Sequence, residues 1–131
     1  MDIAIIVKDK KNMTVKFAGA MRPLYIYRNG VRTIIKGDRN SLGGLQNGKV
    51  FETKETDVQL GDKLYIFSDG YSDQFGGPYS TKMKLKVFQE ALDQISQLEM
   101  ADQKEAIEDF FDNWKMDMAQ MDDVLVIGIE I

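Results

Sequence analysis

Two aspartates stand where a set of oxygen donors could hold a cation. Asp69 comes shortly after the apolar run Leu64-Tyr65-Ile66-Phe67, and Asp122 stands just ahead of the apolar run 124–131. Runs of that length and composition read as strands. If the two strands are antiparallel neighbours, both carboxylates fall at the same sheet edge, held by rigid elements. Paired carboxylates so placed suit Mg²⁺ or Mn²⁺, hard cations that prefer oxygen ligands and retain several waters. A plainer reading stands beside this one: Ser68-Asp69-Gly70 is a common turn, and Asp122-Asp123 can simply end a helix.

Composition narrows the chemistry further. The 131 residues contain no cysteine and no histidine, which removes disulfides, thiolate nucleophiles, imidazole bases and Cys/His zinc sites. Carboxylates, lysines, hydroxyls and backbone are what remain. A formal net charge of -4 gives no electrostatic reason for a nucleic-acid partner, and none is expected. No apolar run approaches the roughly 20 residues of a membrane span, and the opening residues lack a basic leader. The expectation is a cytoplasmic segment without membrane contact.

The elements that must position the aspartates follow from hydrophobic periodicity. Ile3 to Val7, Thr14 to Ala18, Leu24 to Tyr27 and Val31 to Ile35 read as strands, with Asn29-Gly30 a strong hairpin signal. Residues 37–48, with four glycines and Asp38, Asn40, Ser41 and Asn47, read as an irregular loop. Extended structure is predicted again over 51–58 and 64–67. From Lys84 the spacing of Leu85, Phe88, Leu92, Ile95 and Leu98 predicts one amphipathic helix. Ile107, Phe110, Phe111, Trp114 and Met118 predict a second. The phenylalanines and Trp114 should anchor that helix to the sheet, and the methionines should fill core. The pattern is α+β: antiparallel sheets, two C-terminal helices and a closing strand, forming one domain.

Against this frame, 67–78, Phe-Ser-Asp-Gly-Tyr-Ser-Asp-Gln-Phe-Gly-Gly-Pro, resembles the second metal-ligand motif of SpoIIE-type members of the metal-dependent, protein phosphatase 2C-like family. Asp122-Asp123-Val124-Leu125-Val126-Ile127 resembles that family's terminal motif. Phe17-Ala18-Gly19-Ala20 with Pro23-Leu24-Tyr25, Ile35-Lys36-Gly37-Asp38 and Leu42-Gly43 resemble it in order and spacing. Met21, Arg22 and Ser41 depart from the pattern.

The resemblance implies a partial α-β-β-α sandwich that hydrolyses phosphoserine or phosphothreonine with two Mn²⁺ or Mg²⁺ ions per complete domain. It implies Asp69 and Asp122 as metal ligands. Gly70 would allow close backbone approach, Asp123 would support the site, and Asp73 would be a loop or supporting residue. The family's N-terminal half contributes a further metal-bridging Asp and a Gly-His-Gly stretch, which this chain lacks. The segment is therefore expected to be the C-terminal portion of the domain, inactive alone and self-associating. In its parent it would act on a signalling phosphoprotein, with a sensor or regulatory module N-terminal to it. The alternative is a non-catalytic interaction module on a degenerate phosphatase fold. Lys82, Lys84 and Lys86 could form a phosphopeptide strip, but a solvated helix entry accounts for them better. Arg22, Arg28, Arg32 and Arg39 could assist phosphate binding only if near Asp69.

Overall fold

A computed structural model describes residues 1–43, 48 and 50–131, so Gly44 and Asn47 of the glycine-rich loop lie outside the described residues. The elements run β1 (Ile3–Asp9), β2 (Thr14–Ala20), β3 (Leu24–Arg28), β4 (Val31–Ile35), β5 (Lys54–Asp57), β6 (Lys63–Phe67), α1 (Gly70–Asp73), β7 (Phe75–Gly76), β8 (Thr81–Lys82), α2 (Lys84–Ile95), α3 (Met100–Lys115) and β9 (Val126–Glu130). Antiparallel sheets with helices confirm the α+β class. Two compact units divide them: Met1–Ile66 with Gly128–Ile131, and Phe67–Ile127.

The first unit is built on two sheets, ordered β1-β2-β5 and β4-β3-β6-β9. The β1–β2 turn is tied by Asp9, whose carboxylate accepts from the Lys11 and Asn12 amides at 2.9 and 3.1 Å and from Asn12 Nδ2 at 2.8 Å. Those bonds hold its pKa below the usual carboxylate value. At the β3–β4 hairpin Asn29 and Gly30 both take positive φ, as a two-residue turn of this twist requires. Alternate residues of β2 face inward, so Val15 and Phe17 join Leu24, Ile26, Val58 and Leu64 in one apolar cluster shared by the two sheets. Each such burial contributes about 2 kcal/mol.

Gly19 and Gly37 allow the chain to pass close to itself. A Cβ on either would lie within 2.4 Å of the Arg22 carbonyl oxygen, while Asp38 donates its amide to Gly19 O at 2.7 Å. Two of the sequence departures have a local reason. Arg22 Nη2 and Ser41 Oγ both donate to the Asp2 carboxylate, at 2.8 and 2.7 Å.

One buried acid locks the end of β6. Asp62 is 1% exposed and accepts from Arg28 Nε at 2.9 Å, Arg28 Nη2 at 2.6 Å and the Gln59 amide at 2.9 Å. Burial pushes its pKa up, but the Arg28 and Gln59 bonds outweigh burial and the net shift is downward. A carboxyl lowered in the folded state stabilises above its unfolded pKa of about 3.9 and loses that contribution as pH falls through the folded value. Asp62→Asn should therefore flatten the acid side of the stability profile. Urea midpoints at pH 6 and pH 3 measure this, and an unchanged slope would contradict it.

The second unit has an aromatic core. Tyr71 is 1% exposed, with ring centroids 4.5 Å from Phe88 and 5.1 Å from Phe111, and its hydroxyl donates to the Ile107 carbonyl. Burial raises the Tyr71 pKa well above its ordinary value.

Several expected boundaries move. The strand predicted over 51–58 contracts to β5, the closing strand starts at Val126, and α3 ends before Met118. Leu85 and Leu98 are 44% and 42% exposed, so the buried stripe of α2 is Phe88, Leu92 and Ile95. Trp114 packs on Gly76 of the small β7–β8 sheet and on the adjoining Gly77, and Gly77 donates to its carbonyl at 2.8 Å. Met116 and Met121 are exposed and fill no core; Met83 does.

Candidate metal centre

Strand β6 delivers Ser68-Asp69-Gly70, and β9 lies beside it in the sheet. The paired Ser68 N to Leu125 O bond at 2.9 Å and Ile131 N to Asp62 O bond at 2.9 Å run in antiparallel register. The neighbour relation on which the sequence reading is conditional is thus present.

Around the aspartates the backbone closes tightly. Ser68 Oγ donates to Asp123 O at 2.8 Å and accepts from the Leu125 amide at 3.0 Å. Gly70 is buried, and a Cβ there would lie 2.3 Å from Asp123 O and 2.9 Å from its carbon, so no other residue fits without moving backbone. Asp69 begins α1, its carbonyl accepting from the Asp73 amide at 2.9 Å and Ser72 Oγ at 3.1 Å. Asp69 is half-buried, whereas Asp122 and Asp123 are exposed, and Asp122 Oδ1 accepts from the Asp123 amide at 2.7 Å. The structure thus brings the Asp69-Gly70 segment against Asp122-Asp123.

Asp73 sits at the end of α1 and pairs with Lys82 at 3.1 Å, both side chains close to half exposed. Lys86 pairs with Glu90 along α2. Arg22 and Arg28 are engaged by Asp2 and Asp62, and Arg32 lies 5.7 Å over the Tyr25 ring.

Two residues of the site carried no role in the sequence reading. Ser68 is one and Gln74 the other. Gln74 is fully buried, its Nε2 donating to Phe75 O and Ala119 O at 2.9 Å each, its Oε1 accepting from the Met121 amide at 3.1 Å. A glutamine between turn and strand signals nothing on its own; only its burial reveals it.

As cation donors, the carboxylates fit in type but not in number. Among the described residues, no three acidic side chains gather closely enough to hold an ion. Asp69 and Asp122 would supply oxygen ligands to one part of a centre, short of a full cage. No helix among the described residues is long and apolar enough to cross a membrane.

The fold is similar to solved phosphatase domains. The SiaA-PP2C domain of Pseudomonas aeruginosa superposes with a TM-score of 0.87 at 23% identity, covering 99% of this chain and 51% of that one. The PP2C phosphatase domain of SpoIIE from Bacillus subtilis, solved with a fragment of its regulatory domain, gives 0.76 at 16% identity over 99% of this chain and 37% of that one. The same phosphatase domain presoaked with Mn gives 0.68 at 15%, covering 99% and 56%. This chain therefore spans between about a third and just over half of the length of these structures. No curated protein matches the sequence. The profile of stage II sporulation protein E (SpoIIE) matches residues 1–131 from end to end, and with a PP2C-like fold the chain belongs to the SpoIIE family.

Proposed function

We propose that this chain is the C-terminal part of a metal-dependent phosphoserine/phosphothreonine phosphatase domain, with Asp69 and Asp122 as cation ligands. The observation that carries the proposal is the seating of Gly70 under the Asp123 carbonyl, which sets a half-buried aspartate turn against an exposed Asp-Asp pair. Gly70 makes the approach possible, Asp123 supports it through its backbone, and Asp73 braces the following turn through Lys82.

Mn²⁺ or Mg²⁺, when bound, supplies Lewis-acid activation of water and neutralises phosphoryl oxygens. This chain's part is to hold two anionic side chains in place before substrate arrives. The substrate would be a signalling phosphoprotein, and the parent would carry a sensor or regulatory module ahead of the domain. The SpoIIE structure that includes a fragment of a regulatory domain supports the presence of such a module by analogy.

Two carboxylates under-ligate a binuclear centre, so residues 1–131 alone should give no Mn²⁺-stimulated hydrolysis of p-nitrophenyl phosphate, while the full-length protein should turn it over. Robust turnover by the isolated segment, abolished by Asp69→Asn, would overturn the first half. A full-length protein without turnover would favour the non-catalytic interaction module.

The isolated segment should also self-associate. In the first unit, edge strand β1 exposes Ile5 and Val7, at 52% and 57%. Light scattering should find a dimer or larger species, and a monodisperse monomer at millimolar concentration would count against it.

A further inference from the structure

The stretch 116–125 leaves α3 through Met116, whose φ is positive, and reaches Asp122 without forming a regular element. Its short-range ties include Met116 donating to Asp112 O at 2.9 Å, Met118 to Lys115 O at 3.0 Å, Gln120 Nε2 to Asp122 O at 2.8 Å and the Asp123 amide to Asp122 Oδ1 at 2.7 Å. Across longer range it is tied to Ser68, through that residue's amide and hydroxyl, and to the Gln74 side chain, and these two residues flank Asp69 and α1. Gln74 holds Ala119 and Met121, and Ser68 holds Asp123 and Leu125. Asp122 sits between those anchor points.

We propose that the Gln74 side-chain amide is a positioning residue for Asp122, acting through the backbone of residues 119–121. The geometry admits little slack. Nε2 spends both protons on carbonyls and Oε1 takes the amide immediately preceding Asp122. Gln74 is itself fixed from behind, its carbonyl accepting from Trp114 Nε1 at 3.1 Å and from the Met83 amide at 2.9 Å. A fully buried amide this well paired transmits displacement instead of absorbing it, because every alternative rotamer leaves buried polar groups unpaired. Asp69 and Asp122 are thereby braced against each other by residues from one short segment. The link from Gln74 to catalysis rests on the reading of Asp122 as a cation ligand; the link from Gln74 to the 119–121 backbone does not.

Gln74→Met and Gln74→Glu in the full-length protein separate these links. Met keeps the side chain's length and removes all three bonds, and Glu keeps the acceptor for Met121 while losing both donors. Amide hydrogen exchange should accelerate at least about tenfold over 119–124 in Gln74→Met while α2 amides 88–95 keep their protection. The Mn²⁺ concentration for half-maximal p-nitrophenyl phosphate hydrolysis should rise about 10-fold, as for other residues that orient metal ligands, with KM for the ester unchanged. Gln74→Glu, which sets an acceptor-only carboxylate against two buried carbonyl oxygens, should accelerate exchange at 119–124 at least as much as Gln74→Met. Unchanged exchange at 119–124, or acceleration spread equally over α2, overturns the brace. Faster local exchange with an unaltered Mn²⁺ requirement overturns the positioning role. Should the parent itself lack Mn²⁺-dependent turnover, the phosphatase reading fails, and the exchange data still decide whether Gln74 holds the 119–121 backbone.

Discussion

Gly70→Ala in the full-length protein is expected to lower turnover about 100-fold, the scale of loss seen when catalytic groups are displaced by about an ångström. The added methyl carbon would stand 2.3 Å from Asp123 O and 2.9 Å from its carbonyl carbon. Both are backbone atoms, so relief must come from separating the Asp69 turn from the Asp122-Asp123 strand entry. Overpacking of this kind costs about 1–3 kcal/mol of stability. Thermal melting and the kcat for p-nitrophenyl phosphate at saturating Mn²⁺ measure the two effects together. Parent-like turnover in a folded Gly70→Ala protein would mean that the close approach has no bearing on catalysis.

Asp69→Asn and Asp122→Asn should each lower kcat/KM by about 100-fold or more, because a neutral amide is a far poorer ligand for a hard cation than a carboxylate. Stability should change little. Asp122 is exposed, and the asparagine carbonyl can still accept from the Asp123 amide as Oδ1 does now. Substitution of Asp73 provides the contrast: its partner Lys82 lies 3.1 Å away with both side chains over 40% exposed, and ion pairs of that exposure contribute about 1 kcal/mol or less. Asp123→Asn should likewise be mild, since Asp123 meets Gly70 and Ser68 through its main-chain carbonyl. Activity assays paired with melting curves across the four variants would expose a merely structural role for Asp69 or Asp122 as parallel losses of both quantities.

The sandwich was legible because its signals are local. Asn29-Gly30, the alternation of Val15 and Phe17, and the apolar run 64–67 each carry a period or a turn preference that survives without tertiary context. The pairing of β6 with β9 was only a condition at the sequence level, and the sheet order supplies it. What stayed hidden depends on packing. Short α1 and the β7–β8 ladder have no periodicity to read, because two to four residues span barely one repeat. Leu85 sits on the apolar helical spacing yet remains 44% exposed, since spacing fixes a face and not what covers it. Trp114 seals Gly76 and Gly77, partners 38 and 37 residues distant in sequence. Ser68 and Gln74 are ordinary polar residues whose importance lies in what they bond 55 and 47 residues away.

The central claim is that Asp69 and Asp122 serve a single divalent-cation centre, and a double-mutant cycle on Mn²⁺ affinity tests it most directly. Titration of the full-length parent, Asp69→Asn, Asp122→Asn and the double variant, read by Mn²⁺ electron paramagnetic resonance, gives the coupling between the two positions. The account predicts that either substitution alone removes most of the affinity and that the second adds little. Fully additive losses, or Mn²⁺ binding indifferent to both carboxylates, would contradict it.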